Sequence, residues 1–150
     1  MNSEKGKYRK AVFIVIYRIE NEKIFYLILK RKKHWVGWEF SKGGIEKGET
    51  EMDAVKRETL EESGLKIKKI INHHRKGKYR YPRGFPDREG IIGQTYSLYS
   101  AEVFPGEVKF DHHEHSAYKW LEYKETQKTL SKQDQKMCLG IVNKRLEKEI

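Results

Sequence analysis

Cys138 is the chain's only cysteine. That excludes an internal disulfide and suits a reducing, cytoplasmic compartment. Apolar residues are also scarce, at 37% of 150 residues, and no apolar run approaches the roughly 18 needed to cross a bilayer. The N-terminus, MNSEKGKYRK, lacks the apolar segment of a secretory signal. These absences predict a soluble protein without a membrane partner. A Walker phosphate loop and a Rossmann glycine fingerprint are missing too, as are internal repeats and low-complexity linkers. His73 and His74 have no cysteine or histidine partner at zinc spacing. The length suits one domain over residues 1–150, with residues 1–8 as a polar, flexible tail.

What the chain has in quantity is charge, 36% of its residues with a formal net value of +10. Such a balance favours acidic partners, namely nucleotides, polyphosphates, nucleic acid or anionic surfaces. Nothing in it calls for an obligate protein partner. "KAVFIVIYRI" and "KIFYLILKRK", rich in β-branched and aromatic residues, read as a buried antiparallel strand pair. "VGWEF" is a shorter strand, followed by "SKGGIEKGE" as a glycine-punctuated loop. "LKIKKIINHH", "GQTYSLYSAEVF" and "YKWLEY" are further strands, and Arg75–Arg88 is a basic loop. Met137, Ile141, Val142 and Leu146 mark a C-terminal helix from Lys132, with Cys138 in its apolar stripe. The order β-β-β-α-β-β-β-α predicts an α+β layered domain with a mixed sheet.

Against this basic background, residues 43–65 hold seven acidic and three basic residues. Thr50 with Asp53 signals a capped helix from about Glu51, and Gly64 ends it. Glu58, Glu61 and Glu62 then fall within an arc of about 100°. Met52, Val55 and Thr59 lie beside it to anchor the helix. Carboxylates so close repel one another unless a cation neutralises them, and hard oxygen ligands on adjacent turns suit Mg²⁺. A solvated acidic face is the other reading of three helical glutamates.

The spacing of this stretch resembles the Nudix box, GX5EX7REUXEEXGU with U aliphatic. Gly43, Glu49, Arg57, Glu58, Glu61, Glu62, Gly64 and Leu65 occupy its fixed positions, and Thr59 replaces the first aliphatic residue. The resemblance implies an α/β/α sandwich around a central mixed sheet and hydrolysis of a nucleoside diphosphate linked to another group. It implies that Glu58, Glu61 and Glu62, with the carbonyl of Gly43, bind Mg²⁺ or a substituting Mn²⁺. It also implies that Glu49 pairs with Arg57 to hold the loop against the helix.

"GWEFSKGGIEKGE", "KRETLEESGL" and "HHEHSAYKWLEY" resemble segments of the asymmetric diadenosine tetraphosphate hydrolases. That resemblance makes Glu114 an additional metal ligand or base outside the box. A solvated loop is its plain alternative, as it is for His112, His113 and His115. Tyr118 is placed either to stack on adenine or to pack in the core. Lys42 is placed to contact phosphate. Lys76, Lys78, Tyr79, Arg80 and Tyr81 belong to a segment, with Arg75, Arg83, Phe85 and Arg88, suited to gripping phosphates and stacking on bases. "GIIGQTYSLY" instead resembles a strand of RNA 5′-pyrophosphohydrolases. Two enzyme readings follow: cleavage of dinucleoside tetraphosphate to ATP and AMP, or removal of pyrophosphate from an RNA 5′ end. A nucleotide- or RNA-binding domain without turnover is a third, although silent relatives commonly lose a box glutamate and none is lost here.

Overall fold

The computed structural model describes residues 6–81 and 85–150, so residues 1–5 of the expected tail and Arg83 lie outside the described residues. Seven strands form a mixed sheet: β1 (Lys7–Glu20), β2 (Lys23–Arg31), β3 (Gly37–Glu39), β4 (Ser41–Gly44), β5 (Ile67–Arg80), β6 (Ile91–Val103) and β7 (His115–Leu121). The helices are α1 (Glu51–Ser63), α2 (Tyr123–Thr129) and α3 (Gln133–Glu147). Spatial order is β3-β2-β1-β6-β5, with β4 added to β1 and β7 to β2. The β1–β6 pair is parallel and the other pairs are antiparallel. No helix among the described residues is long and apolar enough to cross a membrane.

Alternation along β1 assigns the two faces. Phe13, Val15 and Tyr17 join Leu139, Val142 and Leu146 of α3 in one core. Val12, Ile14 and Ile16 join Ala54 and Val55 of α1 in the other. A strand covered on both sides reads as one apolar run, which is why "AVFIVIY" shows no alternation. The result is the α/β/α sandwich.

Several elements differ from the sequence reading. β1 begins at Lys7, inside the stretch read as a tail, because Lys7 and Tyr8 already pair with β6. Ser41–Gly44 is strand rather than loop, paired to Ala11–Ile14. β5 runs on through Arg80, so half of the expected basic loop is strand, interrupted by a bulge between Asn72 and Lys76. Its exposed lysines and arginines obscured a pattern that an edge strand does not need in full. The short polar α2 gave no apolar periodicity. In α3 Met137 is exposed, and Cys138, Leu139, Val142 and Leu146 face the core. In α1 Met52 is exposed, whereas Val55 and Thr59 are buried. Thr59 fits its apolar place by donating its hydroxyl to the Val55 carbonyl at 2.7 Å.

Candidate active site

The capping box at the start of α1 forms as the sequence predicts, with Thr50 Oγ1 accepting from the Asp53 amide and Asp53 accepting from the Thr50 amide. Gly64 closes the helix in the left-handed region at φ 68°. Between these ends, Glu58 and Glu62 turn towards the sheet and are buried, while Glu61 is exposed. Pairing of β4 with β1 sets Gly43 opposite Val12, directly beneath the Glu58 carboxylate. A methyl group at Gly43 would overlap that carboxylate, so close approach requires glycine.

Arg57 ties the loop to the helix. Its Nε donates to Glu49 Oε2 at 2.7 Å, and Nη2 donates to Glu49 Oε1 and to the Gly44 carbonyl. Its Nη1 donates to Glu58 Oε1 at 2.7 Å and reaches Glu61 at 3.3 Å. The Arg57 hydrogen bond, with another from the Glu46 amide, holds the Glu49 carboxyl down at about 2. Burial pushes Glu58 up to about 7 against the pull of Arg57, and repulsion from Glu62 and Glu61 adds to the rise. Burial also raises Glu62.

A buried charge cluster stands behind Glu62. Strand register explains it: Arg31 of β2 lies opposite His115 of β7, and Leu29 lies opposite Glu39 of β3. Glu39 Oε2 accepts from Arg31 at 3.0 Å and contacts His115 Nε2 at 2.9 Å. Lys42 Nζ stands 3.6 Å from Glu39 Oε1. Burial would raise the Glu39 carboxyl, but the His115 hydrogen bond and the charges of Lys42 and Arg31 prevail and bring it to about 2. Burial likewise disfavours charged His115, yet Glu39 and Glu62 override it and raise the ring to about 9.

Glu39, Arg31 and His115 are the residues that sequence reasoning missed. The lone acid in "VGWEF" was the available signal, since a charge inside a strand needs a buried partner. His115 is 2% exposed, not a surface histidine. His115 Nδ1 lies 3.1 Å from Glu62 Oε2 in a buried ion pair. With Glu114 they bring nitrogen and oxygen atoms within 4.8 Å of one another. The Glu62 and Glu114 carboxylates suit a hard divalent cation, whereas the charged His115 ring balances Glu39 and Glu62 and has no lone pair to lend. Glu58 and Glu61 are held by Arg57 instead and stand outside this group.

These carboxylates line a cavity of about 350 Å³. Lys42, Lys78, Tyr79, Arg80, Tyr81, Phe85 and Arg88 line it as well. Its wall is a chain of rings: Tyr79 and Tyr81 are 6.0 Å apart, Tyr81 and Phe85 4.7 Å, and Phe85 stacks on His34 at 4.2 Å. Arg9, Trp35 and Lys132 join from distant segments with no motif to reveal them. Two expected substrate residues are not brought to the cavity. Lys76 is exposed and does not line it, and Tyr118 packs edge-on against Phe110 with 41% exposure, neither in the core nor in the site.

The model of the NUDIX domain matches residues 7–139. This chain belongs to the Nudix hydrolase family. Among its relatives, the RNA pyrophosphohydrolase of Nitratiruptor sp. is 32% identical over 129 residues, covering 81% of this chain and 83% of that protein. The asymmetrical bis(5′-nucleosyl)-tetraphosphatase of Rattus norvegicus is 25% identical over 133 residues, covering 83% and 88%. A crystal structure of a C. elegans Ap4A hydrolase binary complex superposes with a TM-score of 0.74 at 26% identity, over 93% of this chain and 98% of that one. The Nudix box therefore occupies the β4–α1 segment just described, and the aromatic wall comes from outside it.

Proposed function

We propose that this Nudix hydrolase is a Mg²⁺-dependent enzyme, with Mn²⁺ able to substitute, that cleaves a dinucleoside tetraphosphate asymmetrically to ATP and AMP. The observation carrying the reading is one cavity that joins the α1 carboxylates and Glu114 to cationic side chains and a wall of rings. Glu58, Glu61, Glu62 and Glu114, with the Gly43 carbonyl, would hold the cation, and His115 would position Glu62 from behind. When bound, it neutralises charge on the transferred phosphoryl group and lowers the pKa of attacking water. The chain's own residues do the rest. Arg57 fixes Glu58 and the loop, and Glu39 orients His115 against Glu62. Lys42 and Arg9 attract the polyphosphate, and Tyr79 or Tyr81 offers a ring to a base. Water adds to phosphorus, a bridging P–O bond breaks, and the freed polyphosphate leaves with the shared electrons.

A second reading, hydrolysis of an RNA 5′-polyphosphate end, is supported by the Nitratiruptor relative and by the net charge of +10. Products chromatographed from diadenosine tetraphosphate, dGTP and 5′-triphosphorylated RNA separate the two. ATP with AMP is the expected pair, and EDTA abolishes its release. Two ADP would contradict the asymmetric register, and a higher kcat/KM on RNA would favour the second reading.

A further inference from the structure

The basic residues of β5 extend past the cavity onto an open face of the sheet. Lys10 of β1 and Lys78 of β5 both pair with Thr95 of β6, so the three form one row. In the next row Lys76 and Val12 both pair with Ser97. Paired residues share a face, and Val12 lies in the core beneath α1, so Lys10, Lys76 and Lys78 project on the α1 side. All three are exposed, and none forms an ion pair with a carboxylate among the described residues. Glu51, the acid bordering this patch, is engaged by the hydroxyls of Ser97 and Tyr99 at 2.9 and 2.8 Å. Tyr8 lies over Gly93, where a side chain would overlap its ring, and Lys78 Nζ sits 4.2 Å from the ring centroid. The lysine is thereby held upright on a platform.

Strand spacing makes the patch about 10 Å across β1-β6-β5, and residues 76 to 80 extend it about 13 Å along β5. Lys78 and Arg80 also line the cavity, so the patch and the site are continuous. Lys10, Lys76 and Lys78 outnumber the one carboxylate of Glu51 beside them, and that excess of positive charge favours a polyanion with several negative groups in sequence.

We propose that this face holds the body of a single-stranded nucleic acid whose 5′ end enters the cavity. The cavity part rests on the polyphosphate-hydrolase reading, whereas the face itself does not require turnover. The continuity with a polyphosphate site favours a nucleic acid strand over an anionic membrane, which would need no cavity.

The probe is a short 5′-hydroxyl oligoribonucleotide, labelled at its 3′ end, with no polyphosphate to hydrolyse. Fluorescence anisotropy across a salt series should show binding whose log K falls with log salt at a slope of about −2, as three phosphate contacts predict. Lys10→Glu with Lys76→Glu should weaken binding roughly tenfold or more, and the corresponding alanine pair should weaken it less. Lys144→Glu with Lys148→Glu makes the same charge change at the C-terminal end of α3, behind the other face, and should leave affinity within about twofold. Equal losses in the two glutamate pairs would reduce the effect to net charge and overturn the proposal. So would absence of wild-type binding, or tighter binding to phosphatidylserine vesicles than to the strand. Because the probe is not a substrate, these outcomes stand apart from failure to hydrolyse a dinucleotide.

Discussion

Glu58 sits in a conflict that its neighbours only partly relieve. The folded protein raises its carboxyl from the ordinary 4.5 to about 7, so the native state binds more protons than the unfolded chain across that window. Stability from this group is therefore present below pH 4.5 and lost as pH rises through 7. Glu58→Gln keeps the shape and an acceptor for Arg57 while removing the charge. In EDTA at pH 8 it should melt above the wild type. With Mg²⁺, Glu58→Gln, Glu61→Gln and Glu62→Gln should each lower turnover by orders of magnitude while the fold persists. Near-wild-type turnover in all three would remove the metal assignment. The box carboxylates were legible in the sequence because they lie on one helix at fixed spacing. Glu39, Arg31 and His115 were not, since they come from β3, β2 and the start of β7 and meet only through strand register.

At the level of elements, α1 carries the acidic residues and must be started and stopped at fixed points. Its end positions are set by Thr50 and Gly64, which the sequence displays plainly. Thr50→Ala removes the hydroxyl that receives the Asp53 amide, at a cost of about 1 kcal/mol. Equilibrium urea unfolding should show that loss as a lower midpoint with unchanged slope. A midpoint equal to the wild type would mean that packing of Ala54 and Val55, not the cap, fixes the helix start. β5 was less legible than α1 for a physical reason. An edge strand with one open side needs few apolar residues, and lysine there guards against pairing with other chains. The same composition that hid the strand gives it a basic face.

For the whole molecule, a cation that binds only the folded state adds stability by mass action. At a hundredfold excess over its Kd the gain is about 2.7 kcal/mol, or roughly 5–10 °C in Tm at this chain length. Differential scanning fluorimetry in EDTA and then in excess Mg²⁺ should show that rise. An unchanged Tm would mean that the carboxylates do not form a site in the folded protein.

The parallel pairing of β1 with β6 has a consequence before the fold exists. On the ribosome the "AVFIVIY" strand emerges early, but its neighbour begins at Ile91. At ordinary elongation rates the wait is about 4–15 s. Meanwhile the β1–β2 hairpin offers partial shelter, and the remaining edge is an apolar segment open to other nascent chains. Arg9 and Lys10 before it and Arg18 after it place like charges at both ends, so two such edges repel as they approach. Translation speed through residues 20–90 thus sets how long that repulsion alone must protect the chain.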